Sequence, residues 1–184
     1  AVSRSAHAEQ PGLTWLQGDL AHVQGLPRQA HAIFSCGPLD LFAQWYARAD
    51  VESPRVIAFG STSIDVKRGS ADAEERELAA RLREGERVLF ETAAARGAAV
   101  TVLRPTLVYG AGRDRNLNRI AQVARRFGRV VLPRDANGLR QPVHVHDLAD
   151  AAFRSIDVEA SFGRSYALPG GETLGYREMV ARVL

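Results

Sequence analysis

Short apolar runs alternate with longer amphipathic stretches along the first half of the chain. The runs at 13–16, 30–35, 55–59 and 98–103 are bounded by glycine, proline or polar residues, which is typical of β-strands. Residues 39–49 and 72–96 carry spaced apolar positions among charged ones, which predicts two helices. Strands that alternate with helices form a parallel sheet covered on both faces. The pattern therefore predicts an α/β fold.

Beyond residue 112 the predicted elements become shorter. They are a helix over 117–127, a strand over 129–132, a turn at Asn137 and Gly138, a helix from Asp147 through Ile156 with Asp147 as its N-cap, a strand over 166–168 and a helix from Leu174 onward. We predict one structural domain, in which residues 1–112 form the sheet and residues 113–184 form a small lobe packed on it.

Composition narrows the classes of function. The chain has 184 residues, 46% of them hydrophobic, which suits one globular domain. The net charge of +3 comes almost wholly from arginine, since Lys67 is the single lysine. Because the arginines are not interleaved with aromatic residues, the sequence does not favour nucleic-acid binding. No apolar run approaches the roughly 18 residues of a membrane helix, so no membrane association is expected.

Cys36 is the only cysteine, which excludes an internal disulfide and fits a reducing compartment, by default the cytoplasm. We expect it to be a buried structural residue. The chain starts at Ala1, directly before a strand-like segment, and stops at Leu184 within a helical pattern. Both ends therefore suggest a fragment of a longer protein.

Ligands of an open parallel sheet bind beyond the carboxyl ends of its strands, where loops converge with helix N-termini. The segments that follow the predicted strands are therefore the candidates for a binding site. They are residues 3–4, 18–20, 36–38, 60–63 and 104–112.

Four segments resemble motifs of the extended short-chain dehydrogenases, particularly the nucleotide-sugar epimerases and dehydratases. Residues 103–112, Leu-Arg-Pro-Thr-Leu-Val-Tyr-Gly-Ala-Gly, resemble that group's LRP..VYGPG segment. Residues 17–20 resemble its GDL turn, residues 56–63 its strand ending in a Ser/Thr cluster, and residues 140–148 its R..(I/V)HV.DL segment. The order and approximate spacing of all four agree across nearly the whole chain.

The resemblance implies a Rossmann-like, doubly wound parallel sheet with a small C-terminal substrate lobe, and NADP or NAD as cofactor. The family's first strand and glycine-rich phosphate turn are missing, because no G-x-x-G-x-x-G occurs in the sequence. If the natural protein starts further upstream, this objection to tight cofactor binding disappears.

The resemblance also assigns residues to the dinucleotide. Arg4 would lie near the adenosine ribose, where a guanidinium binds a 2′-phosphate, which favours NADP over NAD; a solvated arginine at a strand end is the alternative. Asp19 would accept from the adenine amino group, although an ordinary turn aspartate is nearly as consistent with the sequence. The implied contacts are Ser3, Arg4, Asp19, Leu20, Cys36, Gly37, Pro38, Ser61, Pro105, Thr106, Leu107 and Val108.

The family's usual catalytic pair is absent. Members that move hydride use Tyr-x-x-x-Lys on a helix, and aligning Glu86 and Arg87 with the family's ER places Leu78 and Leu82 at those positions. Thr62 aligns with the catalytic Ser/Thr, while a helix cap or turn formed by 61–63 is the alternative. Lys67 could substitute for the missing lysine only if its loop folded back over the site.

On the substrate side, Arg140 matches a position from which related enzymes contact a diphosphate, and Arg113 is placed to assist it. Strand-like alternation around Val145 would place His144 and His146 on the same side of the chain. Two histidines are too few to hold a metal ion, so no metal is expected.

Together these features predict an NAD(P)-binding protein with a small-molecule or nucleotide-linked substrate, and homodimer formation stays open. If it is an enzyme, hydride transfer at a carbonyl or sugar carbon fits best, with an unidentified proton donor. The alternatives are a non-catalytic dinucleotide-sensing or assembly protein and an inactive truncated fragment.

Overall fold

The computed structural model describes residues 1–111, 115–132 and 136–182. Its main sheet has four parallel strands in the order β3-β4-β5-β9, where β3 is Ile33–Ser35, β4 Arg55–Phe59, β5 Ala99–Pro105 and β9 Arg164–Leu168. Val56 of β4 pairs with Val100 of β5, and the register continues to Phe59 opposite Leu103. The central strands lie between two layers of helices, which explains why both are almost continuously apolar.

Alternate side chains of β4 and β5 belong to different cores. Val56 and Ala58 pack toward α1 (Leu39–Arg48) and α3 (Ala73–Ala95), which cover one face of the sheet. Ile57 and Leu103 pack toward α5 (Val145–Arg154) on the other face. This alternation follows from the two-residue period of a strand, and it confirms a parallel sheet covered on both sides.

Helices α1 and α3 approach each other very closely at Gly85. A β-carbon built on Gly85 would lie 3.0 Å from Cα and 3.1 Å from the backbone nitrogen of Asp40. Any side chain at position 85 would therefore push the first turn of α1 away from α3. Asp72 caps the N-terminus of α3, because its side chain accepts from the N–H of Glu74 at 2.8 Å.

The N-terminal segment forms a separate small sheet. Strand β1 (Val2–Ser3) pairs in parallel with β2 (Leu16–Gln17), and neither pairs with β3. No helix lies between β1 and β2 or between β2 and β3, so the strand–helix alternation begins only with α1. In the part of the chain that the structure describes, no strand joins β1 to β3.

A buried arginine connects the sheet to the chain that precedes β9. Arg55 is 4% exposed, and its guanidinium donates to the carbonyls of Ser155 (2.6 Å) and Ile156 (3.0 Å) and to the hydroxyls of Thr101 (2.6 Å) and Ser161 (2.9 Å). It also donates to the Ala99 carbonyl at 2.9 Å and lies over the Phe162 ring at 4.4 Å. Burial lowers the pKa of Arg55, an effect that the charge of Asp157 opposes.

The remaining elements tie the loop after β5 to the C-terminal region. Strand β6 (Val108–Tyr109) pairs in parallel with β8 (Val143–His144), and β7 (Leu139–Arg140) pairs antiparallel with β10 (Leu174–Gly175). Helices α2 (Ser63–Val66), α4 (Arg115–Phe127) and α6 (Tyr176–Ala181) and a 3-10 turn at Glu159–Ser161 complete the fold. No described helix is long and apolar enough to cross a membrane.

Three sequence predictions about this region are wrong. The last helix begins at Tyr176 and not at Leu174, which lies in strand β10. Residues 129–132 form no strand, because Val130 and Leu132 pack as irregular chain against the small core around Leu174 and Met179. Helix α5 begins at Val145, not at Asp147, and its N-cap is His144, whose Nδ1 accepts from the N–H of His146 at 3.3 Å. Asp147 lies inside the first turn, where a carboxylate stabilises the helix dipole.

Candidate functional site

A cleft of about 420 Å³ lies at the carboxyl ends of β3 and β4, beside α3. Because these neighbouring strands are parallel, the loops that follow them meet at the same edge of the sheet. The lining residues are Gly37, Pro38, Leu39, Asp40, Leu41, Phe59, Gly60, Leu78, Arg81 and Leu82. The cleft thus brings together two of the predicted cofactor residues and both positions of the missing catalytic pair.

Leu78 and Leu82 lie one helical turn apart on α3 and both line the cleft. Leu78 is partly exposed, whereas Leu82 belongs to the core between α1 and α3. The positions that the resemblance assigns to proton transfer therefore do border the cleft. Their aliphatic side chains can neither donate nor accept a proton.

The turn after β2 lies beside the cleft. A β-carbon built on Gly37 would lie 3.7 Å from Cδ1 of Leu20, so Leu20 is next to the loop that follows β3. The Asp19 carboxylate accepts from the N–H groups of Ala21 (2.8 Å) and His22 (2.9 Å), which hold the pKa of Asp19 below its ordinary value. Asp19 therefore closes its own turn.

Cys36 is exposed, so the expectation of a buried cysteine is wrong.

Ser61 and Thr62 are not among the residues that line the cleft. Thr62 directs its N–H and its hydroxyl to the Pro105 carbonyl, at 3.2 and 3.4 Å, and so connects the ends of β4 and β5. The Ser61 hydroxyl accepts from the N–H of Ser63 at 3.2 Å, at the start of α2. This geometry is the turn cluster that the sequence left open as the alternative for these residues.

The predicted residues from Pro105 to Val108 connect the sheet to the C-terminal region. The Thr106 hydroxyl donates to the Gln141 carbonyl, and the Leu107 carbonyl accepts from the N–H of Val143 at 2.9 Å. Leu107 packs on the C-terminal core, and Val108 pairs with Val143 in the β6–β8 sheet. The hydroxyl of Thr106 is therefore already used within the protein.

Ser3 ends the first strand and Arg4 follows it, and neither is among the residues that line the cleft. The Ser3 hydroxyl is 2.9 Å from Nε2 of His7, whose ring stacks on Trp15 at 4.0 Å, a contact that the sequence did not predict. The Arg4 carbonyl accepts from the side chain of Gln17, while no partner of its guanidinium is found within the described chain. Arg4 is exposed and so accessible to an anion.

Arg140 is exposed on β7, with its guanidinium 5.6 Å from the centre of the Tyr176 ring. It donates to the Leu139 carbonyl at 2.8 Å. Arg113, its predicted neighbour at the substrate, lies outside the described residues. The structure thus places Arg140 on the surface of the C-terminal region.

The two histidines after β7 do lie together, with ring centres 4.7 Å apart. His144 also contacts the Tyr109 ring edge-on, at 5.1 Å. Gly110, with φ of +106°, leaves room for it, since a β-carbon there would lie 2.5 Å from Nε2 of His144. Among the described residues no group of three metal-ligating side chains is found. The geometry gives His144 a packing and capping role.

Sequence reasoning missed the ion pair next to the cleft. Glu86 is 6% exposed and accepts from Nε of Arg104 at 2.7 Å and from the Ser165 hydroxyl at 3.1 Å. The same carboxylate would contact a β-carbon on Gly60, so the pair lies directly beside the cleft. The hydrogen bonds that Arg104 donates to Glu86 raise the pKa of Arg104. Glu86 belongs to the segment matched to the family's ER and Arg104 to the segment matched to its LRP, but their spacing along the chain did not show that they touch.

The comparisons with known proteins agree with this architecture. The model of the NAD dependent epimerase/dehydratase family matches residues 45–167, more than half of the chain. The chain therefore belongs to the NAD dependent epimerase/dehydratase family, which confirms the resemblance stated from its motifs. No curated protein matches its sequence.

Solved structures share the fold at low sequence identity. MoeE5 in complex with UDP-glucuronic acid and NAD is 20% identical with a TM-score of 0.75, over 99% of this chain and 71% of that one. The dTDP-glucose 4,6-dehydratase of Bacillus anthracis in complex with NAD is 13% identical with a TM-score of 0.67, over 95% and 64%. The epimerase Mth375 of Methanothermobacter thermautotrophicus is 12% identical with a TM-score of 0.73, over 96% and 63%. These similarities confirm the Rossmann-like fold.

Proposed function

We propose that this chain binds a nicotinamide dinucleotide in the cleft at the carboxyl ends of β3 and β4. The observation that carries this proposal is the convergence of Gly37, Gly60 and Leu78 on one cleft, with Leu20 beside it. Backbone at Gly37 allows a ligand to approach closely, and the apolar side chains suit flat rings. Its similarity to MoeE5 and to the dehydratase, whose structures contain NAD, supports the same ligand class.

The substrate in this proposal is a nucleotide-linked sugar or a related small molecule, held between residues 1–112 and the part formed by 113–184. Arg140 would bind its phosphates, since an exposed guanidinium pairs well with a diphosphate. UDP-glucose and UDP-glucuronic acid, which MoeE5 binds, are the first ligands to test.

A non-catalytic binding role is the second candidate, and Leu78 and Leu82 favour it. Both line the cleft without a titratable group, while the Thr62 hydroxyl is turned to the Pro105 carbonyl. If hydride transfer does occur, Thr62→Ala should slow it; equal turnover by wild type and variant would remove Thr62 from the mechanism. The cytoplasm as compartment and a homodimeric assembly also stay predictions.

Thermal unfolding with and without cofactor tests the binding proposal. At a ligand concentration a hundredfold above Kd, NADH or NADPH should stabilise the native state by about 2.7 kcal/mol. For a chain of this size that raises the Tm by roughly 5–10 °C. If Arg4 binds a 2′-phosphate, NADPH should give the larger shift, and Arg4→Ala should remove that difference. An unchanged Tm with both dinucleotides would refute the proposal.

A further inference from the structure

Asp40 and Arg81 are the charged side chains among the residues that line the cleft. Asp40 lies in the first turn of α1, and Arg81 lies on α3 between Leu78 and Leu82. The contact of Gly85 with the backbone of Asp40 fixes the start of α1 against α3. The positions of these two charges in the cleft are therefore set by the packing of the two helices.

These two side chains do not satisfy each other. Nε of Arg81 is 3.9 Å from Oδ2 of Asp40, and Nη1 of Arg81 is 3.7 Å from Oε1 of Glu77, both too long for hydrogen bonds. In the described part of the chain no N–H or O–H group donates to the Asp40 carboxylate, although its side chain is only 30% exposed. At this exposure the carboxylate still reaches solvent, so it keeps free acceptor capacity for hydroxyl groups of a ligand that enters the cleft.

An ion pair of the same composition elsewhere in the chain shows the difference. Arg154 and Asp150 on α5 approach to 3.1 Å with a hydrogen bond, and both are largely exposed. That pair is a solvated contact between successive turns of a helix. Asp40 and Arg81 come from two different helices and border a cavity, yet they stay further apart.

The charges around this place select the kind of ligand group. Arg81 is flanked by Asp40 and by Glu77, so the local charge is not positive and does not favour a phosphate or carboxylate. A carboxylate beside a guanidinium offers acceptors and donors together, which matches adjacent hydroxyl groups. Leu78, Leu82 and Phe59 provide apolar surface for the carbon face of a ring.

We propose that Asp40 and Arg81 bind a vicinal diol, with Asp40 accepting from two adjacent hydroxyl groups and Arg81 donating to a hydroxyl oxygen. The diol belongs either to a ribose of the dinucleotide or to the sugar of a nucleotide-linked ligand. This inference rests on the proposed function of the cleft. It adds a polar subsite to a cleft in which the family's proton-transfer positions are leucines.

Calorimetric titration of the protein with NADH and, separately, with UDP-glucose tests this subsite and distinguishes the two sources of the diol. Asp40→Asn and Arg81→Gln should each weaken binding of one probe about tenfold or more, since each removes a hydrogen bond to a charged group. The probe that loses affinity identifies which diol is bound. Asp150→Asn and Arg154→Gln, which remove the matched pair outside the cleft, should leave both affinities unchanged.

Melting curves of all four variants distinguish a loss of binding from a loss of folding. If one of the two cleft variants folds poorly, the other still tests the subsite. If wild type binds a probe and the cleft variants bind it as tightly as the α5 variants do, the diol subsite is wrong while the proposed function survives. If wild type binds neither probe, the diol subsite fails, and the proposed function fails with it when NADPH does not raise the Tm either.

Discussion

Replacing Arg55 with methionine is expected to lower the free energy of unfolding by about 3 kcal/mol or more, because several buried acceptors would lose their donor at once. The carbonyls of Ser155 and Ile156 and the hydroxyl of Ser161 all receive hydrogen bonds from this one side chain. Methionine can fill much of the volume but donates no hydrogen bond. Urea unfolding followed by circular dichroism measures the loss.

Arg164→Met is the matched control, since Arg164 is an exposed arginine on the edge strand β9. We expect it to change the free energy of unfolding by no more than about 0.5 kcal/mol. Arg55 carries no direct ion pair within the described residues, so its effect would come from hydrogen bonds and from its contact with Phe162. Similar losses for Arg55→Met and Arg164→Met would show that the buried network contributes little.

The Gly37→Leu substitution is expected to weaken NADH binding about 10- to 100-fold. The added side chain would fill space in the cleft, so the ligand could bind only in a shifted position. Gly37 lines the cleft, and its missing side chain leaves the space next to Leu20 open. A leucine there would occupy part of the path that we assign to the dinucleotide. NADH fluorescence titration gives the change in Kd.

Gly171→Leu provides the control for a glycine outside the cleft. Gly171 is exposed, and a β-carbon built on it has no heavy atom within 4 Å, so the substitution should leave NADH binding unchanged. Circular dichroism should show the native fold for both variants. Equal Kd values for Gly37→Leu, Gly171→Leu and wild type would place the dinucleotide elsewhere.

Local sequence signals were sufficient where a segment's own residues determine its structure. Strand β4 was predicted with its observed bounds, Arg55–Phe59. A parallel strand that is buried on both faces is a nearly continuous apolar run, which the sequence shows directly. Helix α3 was predicted within one residue at each end, since Asp72 caps its start and Gly97 follows its end. The cap of α5 was missed, because His144 caps through a ring nitrogen, which is not the usual N-cap chemistry.

The parts that could not be predicted depend on contacts between residues far apart in the chain. Arg55 reads as a charged residue at a strand end, yet its partners lie about a hundred residues later. Asp40 and Arg81 lie 3.9 Å apart on two helices that approach each other closely at Gly85. The motifs placed Gly37 and Gly60 after strands that end at one edge of the sheet, but they did not show which polar side chains line the cleft or that the Thr62 hydroxyl donates to the Pro105 carbonyl.

A crystal structure of the protein with NADH tests most directly whether the cleft is a dinucleotide site. We predict that the dinucleotide runs past Leu20 and Gly37 and that its nicotinamide ring lies near Gly60 and Leu78. A dinucleotide bound at another edge of the sheet, or on a surface that these residues do not form, would contradict this assignment.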